Sequence, residues 1–386
     1  MNQSVTSAIY NYLGQMIEQK ATDLYLTVGV PATLRRENGL TKLSESDLTD
    51  EDIDHMLAEV LTSRQRREFE TNFELNIALD MGERGRFRIN VLRQRQHNAM
   101  VIRRITSEIP NFAELNLPPL IENLSMSRRG LILVTGVTSS GKSTSLASMI
   151  DYRNQNKPGH IITIEDPVEY YHTHKQSIVT QREVGIDTAS YNVALKNALR
   201  QKPDVILIGE IRDADVMEQA ISAAETGHLC LATLHTNNAP QAIERVINFF
   251  PEDRQQQIRV ALSMNLRAVI AQRLVNRTDD SLALALEIML NEALIKELIL
   301  KGETGKIREV MLQNTSIGMK SFDQSLLELY KTGQISEDTA IAEADIPADM
   351  RMRLRQTNYG KGEKDQGGEN NGSGGASQID TSRLSL

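Results

Sequence analysis

The sequence predicts an α/β fold preceded by a smaller α+β region, and three observations carry that prediction. From about residue 120, short apolar runs alternate with amphipathic stretches, the pattern of βαβ units building a parallel sheet. One of those runs, Leu131-Ile132-Leu133-Val134, leads into Gly136-Val137-Thr138-Ser139-Ser140-Gly141-Lys142-Ser143 and then a helical stretch from Thr144. In the first 108 residues, by contrast, apolar residues recur with period two in several separated segments, as in half-buried strands.

Taken in order, Ile9, Leu13, Met16 and Ile17 make one face of a first helix. Asp23 to Val28 alternates as a strand and ends at Gly29. Glu74 to Asp80 alternates again, before a turn over Met81 to Gly85. Gly85 to Val91 is a further strand with Arg86 and Arg88 on one side, because successive residues face opposite ways. Asn98 to Ile105 closes the set and carries Arg103 and Arg104. Taken alone, these arginines suit a solvated sheet face. Pro110, Asn111, Asn116 and Pro118-Pro119 punctuate a linker over 109–120.

The second domain is expected over 121–355. Its strands are predicted at 131–135, 160–165, 205–209 and 229–234, with helices near 144–152, 190–200 and 214–225. Asp213 is placed to cap the last of these. After residue 238 the pattern reads as mostly helical. Residues 356–386, rich in Gly, Asn and Ser from Gly360 on, are expected to be disordered. The apolar residues that return over Ile379 to Leu386 suit a short docking tip on a tether.

Composition narrows the class. A net charge of −8 and 4% aromatic residues give no basic, stacking surface for nucleic acid. No run reaches the ~18 apolar residues of a membrane-spanning helix. Met1 to Gln15 lacks a basic region followed by an apolar one, so no signal peptide is expected and the compartment reads as cytosolic. The single cysteine, Cys230, excludes a disulfide framework and a four-Cys zinc site.

Four clusters carry chemistry, each at or near the end of a predicted strand, where open α/β sheets bind ligands. Gly136 to Ser143 fits G-x-x-x-x-G-K-[ST], in the strand–loop–helix context that the phosphate-binding loop requires. Loop N–H groups and the start of the helix at Thr144 would face the phosphates of ATP. Lys142 would reach the β- and γ-phosphates, and Ser143 would ligate Mg²⁺. The second cluster is Glu165-Asp166-Pro167-Val168-Glu169, in which one carboxylate could polarise an attacking water. The third, Asp204 to Arg212, is a buried strand ending in Glu210, the usual Mg²⁺- or water-side partner of a P-loop. The fourth, Thr226 to Thr236, has His228 and His235 at opposite ends of one strand. At ~3.3 Å per residue they stand roughly 20 Å apart and cannot share a metal. His172-Thr173-His174 has no further ligand at metal spacing.

These four clusters, in this order, resemble the secretion-ATPase superfamily with its Walker A, Asp box, Walker B and His box. Lys20 to Leu26, the Gly85 to Asn90 strand and Arg200 to Arg212 narrow the resemblance to the type IV pilus retraction ATPases of the PilT/PilU family, over about residues 5–345. The resemblance implies a RecA-like ATPase domain behind a PAS-like N-terminal domain. It also implies a homo-hexamer that hydrolyses ATP with Mg²⁺ at the cytoplasmic base of the pilus machine, against the inner membrane and its platform protein. Glu169 matches the catalytic glutamate, Glu210 the Walker B glutamate, and His228 and His235 the His-box pair. Arg86, Arg88, Arg103 and Arg104 match the arginine-bearing strands; which of them reaches a phosphate stays open. Where PilT members carry Ala-Ile-Arg-Asn-Leu-Ile-Arg, this chain has Leu294-Ile295-Lys296-Glu297-Leu298-Ile299-Leu300. That departure and the long tail point to the PilU branch, which works beside a PilT-like partner. A ring subunit that binds ATP without hydrolysing it is disfavoured by the intact Lys142, Glu169 and Glu210.

Overall fold

The computed structural model describes residues 7–36, 39–82, 85–105 and 108–365. The chain forms two compact units, Met1–Arg273 with Leu286–Ser321, and Leu274–Ala285 with Phe322–Leu386. The first unit holds two sheets joined through the 109–120 stretch.

The first sheet belongs to the α+β region. Helix α1 (Ala8–Glu18) buries Ile9, Leu13 and Met16, the face read from the sequence. Strands β1 (Asp23–Thr27), β2 (Thr33–Arg36) and β3 (Gly39–Lys42) follow. Helices α2 (Asp50–Val60) and α3 (Ser63–Asn72) both open on capping boxes, Thr49 with Asp52 and Thr62 with Gln65. Each box satisfies N–H groups that a helix start leaves unpaired. Strands β4 (Glu74–Asp80), β5 (Arg86–Gln94) and β6 (His97–Ile105) complete an antiparallel sheet of order β3-β2-β1-β6-β5-β4. Phe87, Ile89 and Val91 alternate into its core and are fully buried.

The second sheet begins after α4 (Pro119–Ser125) with β7 (Gly130–Thr135), buried throughout. Then come α5 (Lys142–Asn156), β8 (Gly159–Glu165), β9 (Ser177–Glu183), α6 (Tyr191–Ala198), β10 (Val205–Ile208), α7 (Ala214–Glu225) and β11 (Leu229–Leu234). Asp213 caps α7, accepting from the Val216 N–H. Beyond lie α8 (Ala239–Asn248), α9 (Glu252–Asn265), β12 (Leu266–Asn276) and β13 (Leu282–Leu290). The sheet order is β13-β12-β7-β11-β10-β8-β9, and every pairing from β12 to β9 is parallel. The strands predicted at 131–135, 160–165, 205–209 and 229–234 all stand where expected, because burial on both faces selects continuous apolar runs.

The mostly helical reading after residue 238 is corrected at β12 and β13. Both pack into the sheet with their central residues buried, so tertiary burial overrides the helix preference of their Ala and Leu. Helices α10 (Ala293–Lys301) and α11 (Ile307–Gln313) close the first unit. Lys296 and Leu300 are both exposed on α10.

The second unit packs α12 (Phe322–Lys331), α13 (Glu337–Glu343) and α14 (Pro347–Asp365), with Phe322, Leu326, Met350 and Leu354 buried. The backbone stays helical to Asp365, past the start at 356 expected for a disordered tail. Residues 366–386 of the expected tether, with its docking tip, lie outside the described residues.

Phe87 fills the centre of the first sheet between two arginines. Phe87→Ala should cost about 3–5 kcal/mol of stability, read as a lower urea midpoint. An unchanged midpoint would place the core of this sheet elsewhere.

Candidate nucleotide-binding and hydrolysis site

Parallel pairing aligns the carboxyl ends of β7, β8, β10 and β11, and one cavity of about 220 Å³ opens there. Thr138, Ser139, Lys142 and Ser143 line it from the loop after β7. Glu165, Asp166 and Glu169 reach it from β8, Glu210 from β10, and His235 from β11. The first three clusters and one end of the fourth therefore meet, as the sequence predicts.

The loop is shaped for an anion. Gly136 has φ 149°, and a Cβ there would meet the Ser140 Oγ at 2.4 Å and the Gln272 carbonyl at 2.5 Å, so only glycine fits. Gly141, at φ 86°, caps α5 with no side-chain hydrogen bond. The first N–H groups of the helix are thus left for a ligand. Ser140 Oγ is buried and unpartnered. Lys142 Nζ donates to the carbonyls of Gly136 at 2.9 Å and Val137 at 2.8 Å. Burial lowers its pKa while Glu210 and Glu169 pull it up. Beneath the loop, β12 contributes Gln272, whose Nε2 donates to the Ser145 Oγ at 2.6 Å.

Glu210 is held from two sides. Arg212 approaches it at 2.7 Å and His235 Nε2 at 3.1 Å. Arg212 also reaches Asp166 at 3.5 Å. Among the described residues no cluster of three or more His, Cys, Asp or Glu could hold a metal. The Ser143 hydroxyl and Glu210 carboxylate facing one cavity fit Mg²⁺ instead, which takes few protein oxygens beside phosphate and water. His172 is buried, and burial lowers its pKa to about 4; it is a neutral core residue. Burial pushes the Cys230 thiol up to about 12, so it is unreactive.

Two acids stand behind the loop 166–169: Glu165, one of the carboxylates of the second cluster, and Glu183, to which the sequence reading gives no role. Glu165 and Glu183 are register partners at the ends of β8 and β9. Burial pushes the Glu165 carboxyl up to about 7, against hydrogen bonds from the Thr163 hydroxyl and Gln181 amide and the approach of the Glu169 N–H. Glu183 accepts from the Val168 N–H at 3.2 Å, and Gln181 braces the Tyr170 carbonyl and His172 N–H at 2.8 Å each. A lone threonine in the isoleucine run 161–164 and the charged end of 177–183 were the available signals.

Five of the residues singled out in the sequence, His228 and the four arginines, lie outside this cavity. His228 is not in the cavity: it stands at the opposite end of β11, its Nδ1 3.1 Å from the Thr226 hydroxyl and from the Ala223 carbonyl. Strand length alone enforces this separation. None of the four arginines lines the cavity of its own chain. Arg103 pairs with Asp23 at 2.8 Å, and Arg88 faces Glu183 at 3.8 Å. Arg104 pairs in register with Phe87, on the core side of the sheet, away from the face of Arg86 and Arg88.

Residues 4–297 match the model of the family described as Type II/IV secretion system protein. The chain belongs to that family. It is 47% identical over 341 residues to the type IV pilus ATPase PilU of Pseudomonas aeruginosa, covering 88% of this chain and 89% of that protein. To the pilus retraction ATPase PilT of the same organism it is 37% identical over 330 residues, covering 86% and 96%. The crystal structure of the pilus retraction motor PilT with bound ADP superposes with a TM-score of 0.82 at 41% identity, covering 88% of this chain and 98% of that one. The secretion-ATPase family thus has, in this chain, a RecA-like P-loop sheet behind an N-terminal α+β region.

The raised pKa of Glu165 has a defined sign. The folded carboxyl keeps its proton between the ordinary 4.5 and about 7, a window in which the unfolded chain has released it. Stability from this group is full below the unfolded value and is lost as pH rises through 7. Glu165→Gln, permanently neutral, should gain thermal midpoint relative to the native chain between about pH 5 and about pH 8. A difference independent of pH would show that this carboxyl is not held protonated.

Proposed function

We propose that this protein hydrolyses ATP to power type IV pilus retraction and twitching motility, as an accessory motor beside a PilT-like partner. The observation that carries the reading is the single cavity in which the P-loop, Glu169, Glu210 and His235 meet. The PilT structure of matching fold contains bound ADP, which supports nucleotide use by this chain. Identity to PilU, with Lys296 and Leu300 at the two arginine positions of the retraction motif, supports the accessory branch.

The residues divide the work as follows. The N–H groups of the loop and of α5 receive the phosphates. Lys142, now on the Gly136 and Val137 carbonyls, exchanges those neutral acceptors for charged phosphate oxygens. Ser143 and Glu210 would hold Mg²⁺, which would neutralise charge on the phosphates. Glu169 takes a proton from water as its oxygen attacks the γ-phosphorus and the bond to the bridging oxygen breaks, giving ADP and phosphate. His235 and Arg212, both on Glu210, hold that carboxylate in place. The working form is a homo-hexameric ring in the cytoplasm, docked on the inner-membrane pilus platform. Among the described residues no helix is long and apolar enough to cross a membrane.

Glu169→Gln keeps the shape of the side chain and removes the proton acceptor. It should lower kcat about 10²–10⁴-fold and leave nucleotide affinity near wild type, read by phosphate release and by titration with a fluorescent ATP analogue. Lys142→Ala should lose both. Wild-type turnover in Glu169→Gln would move the base to another carboxylate of the cavity.

A further inference from the structure

Glu183 is an acidic residue, 1% exposed and outside the cavity, where a carboxylate has no direct role in the reaction. Its two oxygens have different partners. Oε2 accepts from the N–H of Val168, which is itself buried. Oε1 faces Arg88 Nε of the first sheet at 3.8 Å. Val168 stands between Pro167 and Glu169. The carboxylate therefore joins the backbone immediately before the proton acceptor to an arginine of a different sheet.

We propose that Glu183 is a positioning residue for hydrolysis: it holds the loop carrying Glu169 through the Val168 N–H, and Arg88 keeps it in the charged form that does so. The inference rests on ATP hydrolysis at the cavity. A buried carboxylate needs a counter-charge to stay ionised. Burial pushes Glu183 up, and the Val168 N–H, Arg88 and Arg86 pull it back, while Asp187 adds to the push. An ionised acceptor also makes the stronger hydrogen bond. Moving the arginine strand away would release the loop, so the position of the first sheet controls the rate at a site that it does not touch. This gives Arg88 a use within its own chain.

The test is a double-mutant cycle on the full-length protein, with kcat and KM for ATP measured at fixed protein concentration. Glu183→Gln and Arg88→Ala should each lower kcat about 10- to 100-fold, the scale of a misplaced reacting group, with KM near wild type. The double variant should be no slower than Glu183→Gln alone, because both changes neutralise one interaction. Arg88→Lys should recover most of the rate, since a single 3.8 Å contact needs charge rather than a bidentate fork. Losses that multiply in the double variant would overturn the proposal and give Arg88 a separate task. So would wild-type kcat in either single variant, or a loss confined to KM. If Glu183→Gln does not fold, Arg88→Ala against Arg88→Lys decides alone: equal rates overturn the proposal. Turnover by the native chain with unaffected variants defeats this inference only. No turnover by the native chain defeats the hydrolysis reading and this inference with it.

Discussion

Parallel pairing from β12 to β9 makes six strands end on the same side of the sheet. Side chains far apart in sequence then meet without any long loop having to carry them. The P-loop leaves the middle of the sheet, flanked by β11 and β12. On one side β12 packs the Gln272 carbonyl so close to Gly136 that no side chain fits. On the other, β10 and β8 deliver Glu210 and the loop 166–169. Chemistry follows from register.

Burying charge at this edge has a cost that the structure meets locally. Lys142 is nine-tenths buried and spends its donors on two loop carbonyls. Glu210 has a guanidinium and an imidazole. Glu165 meets the cost differently, by holding its proton up to about pH 7. Glu183 keeps a backbone N–H and an arginine. Each solution restrains a loop as well as a charge. The stretch 168–172 is held by β9 side chains at Val168, Tyr170 and His172. An edge strand thus serves as the backing for the loop that carries Glu169.

Much of this was legible in the sequence, for physical reasons. Doubly buried strands select runs such as Leu131 to Val134, and phosphate binding demands glycines at fixed spacing, so β7, β8, β10, β11 and the P-loop stood out. Leu282-Ala283-Leu284-Ala285-Leu286 did not read as a strand, because alanine and leucine also favour helices. β9 was missed because an edge strand with Thr180, Gln181, Arg182 and Glu183 has little apolar pattern. The role of Glu183 was hidden further, since its arginine lies on another sheet and its hydrogen-bond partner is a backbone group. The separation of His228 from His235 was legible too, since the length of the strand between them sets it. The arginines of β5 and β6 were legible as a set, yet register divides them: Arg88 opposes Arg103, and Arg104 opposes Phe87.

The central claim is that the carboxyl ends of four strands form one ATP site. A crystal structure with a non-hydrolysable ATP analogue and Mg²⁺ tests it most directly. The account predicts the phosphates on the backbone of Gly136 to Ser143 and the Lys142 ammonium moved from its two carbonyls to phosphate oxygens. It also predicts Glu169 facing the γ-phosphate, with Glu183 still on the Val168 N–H. Nucleotide bound away from this loop, or a γ-phosphate out of reach of Glu169, would contradict it.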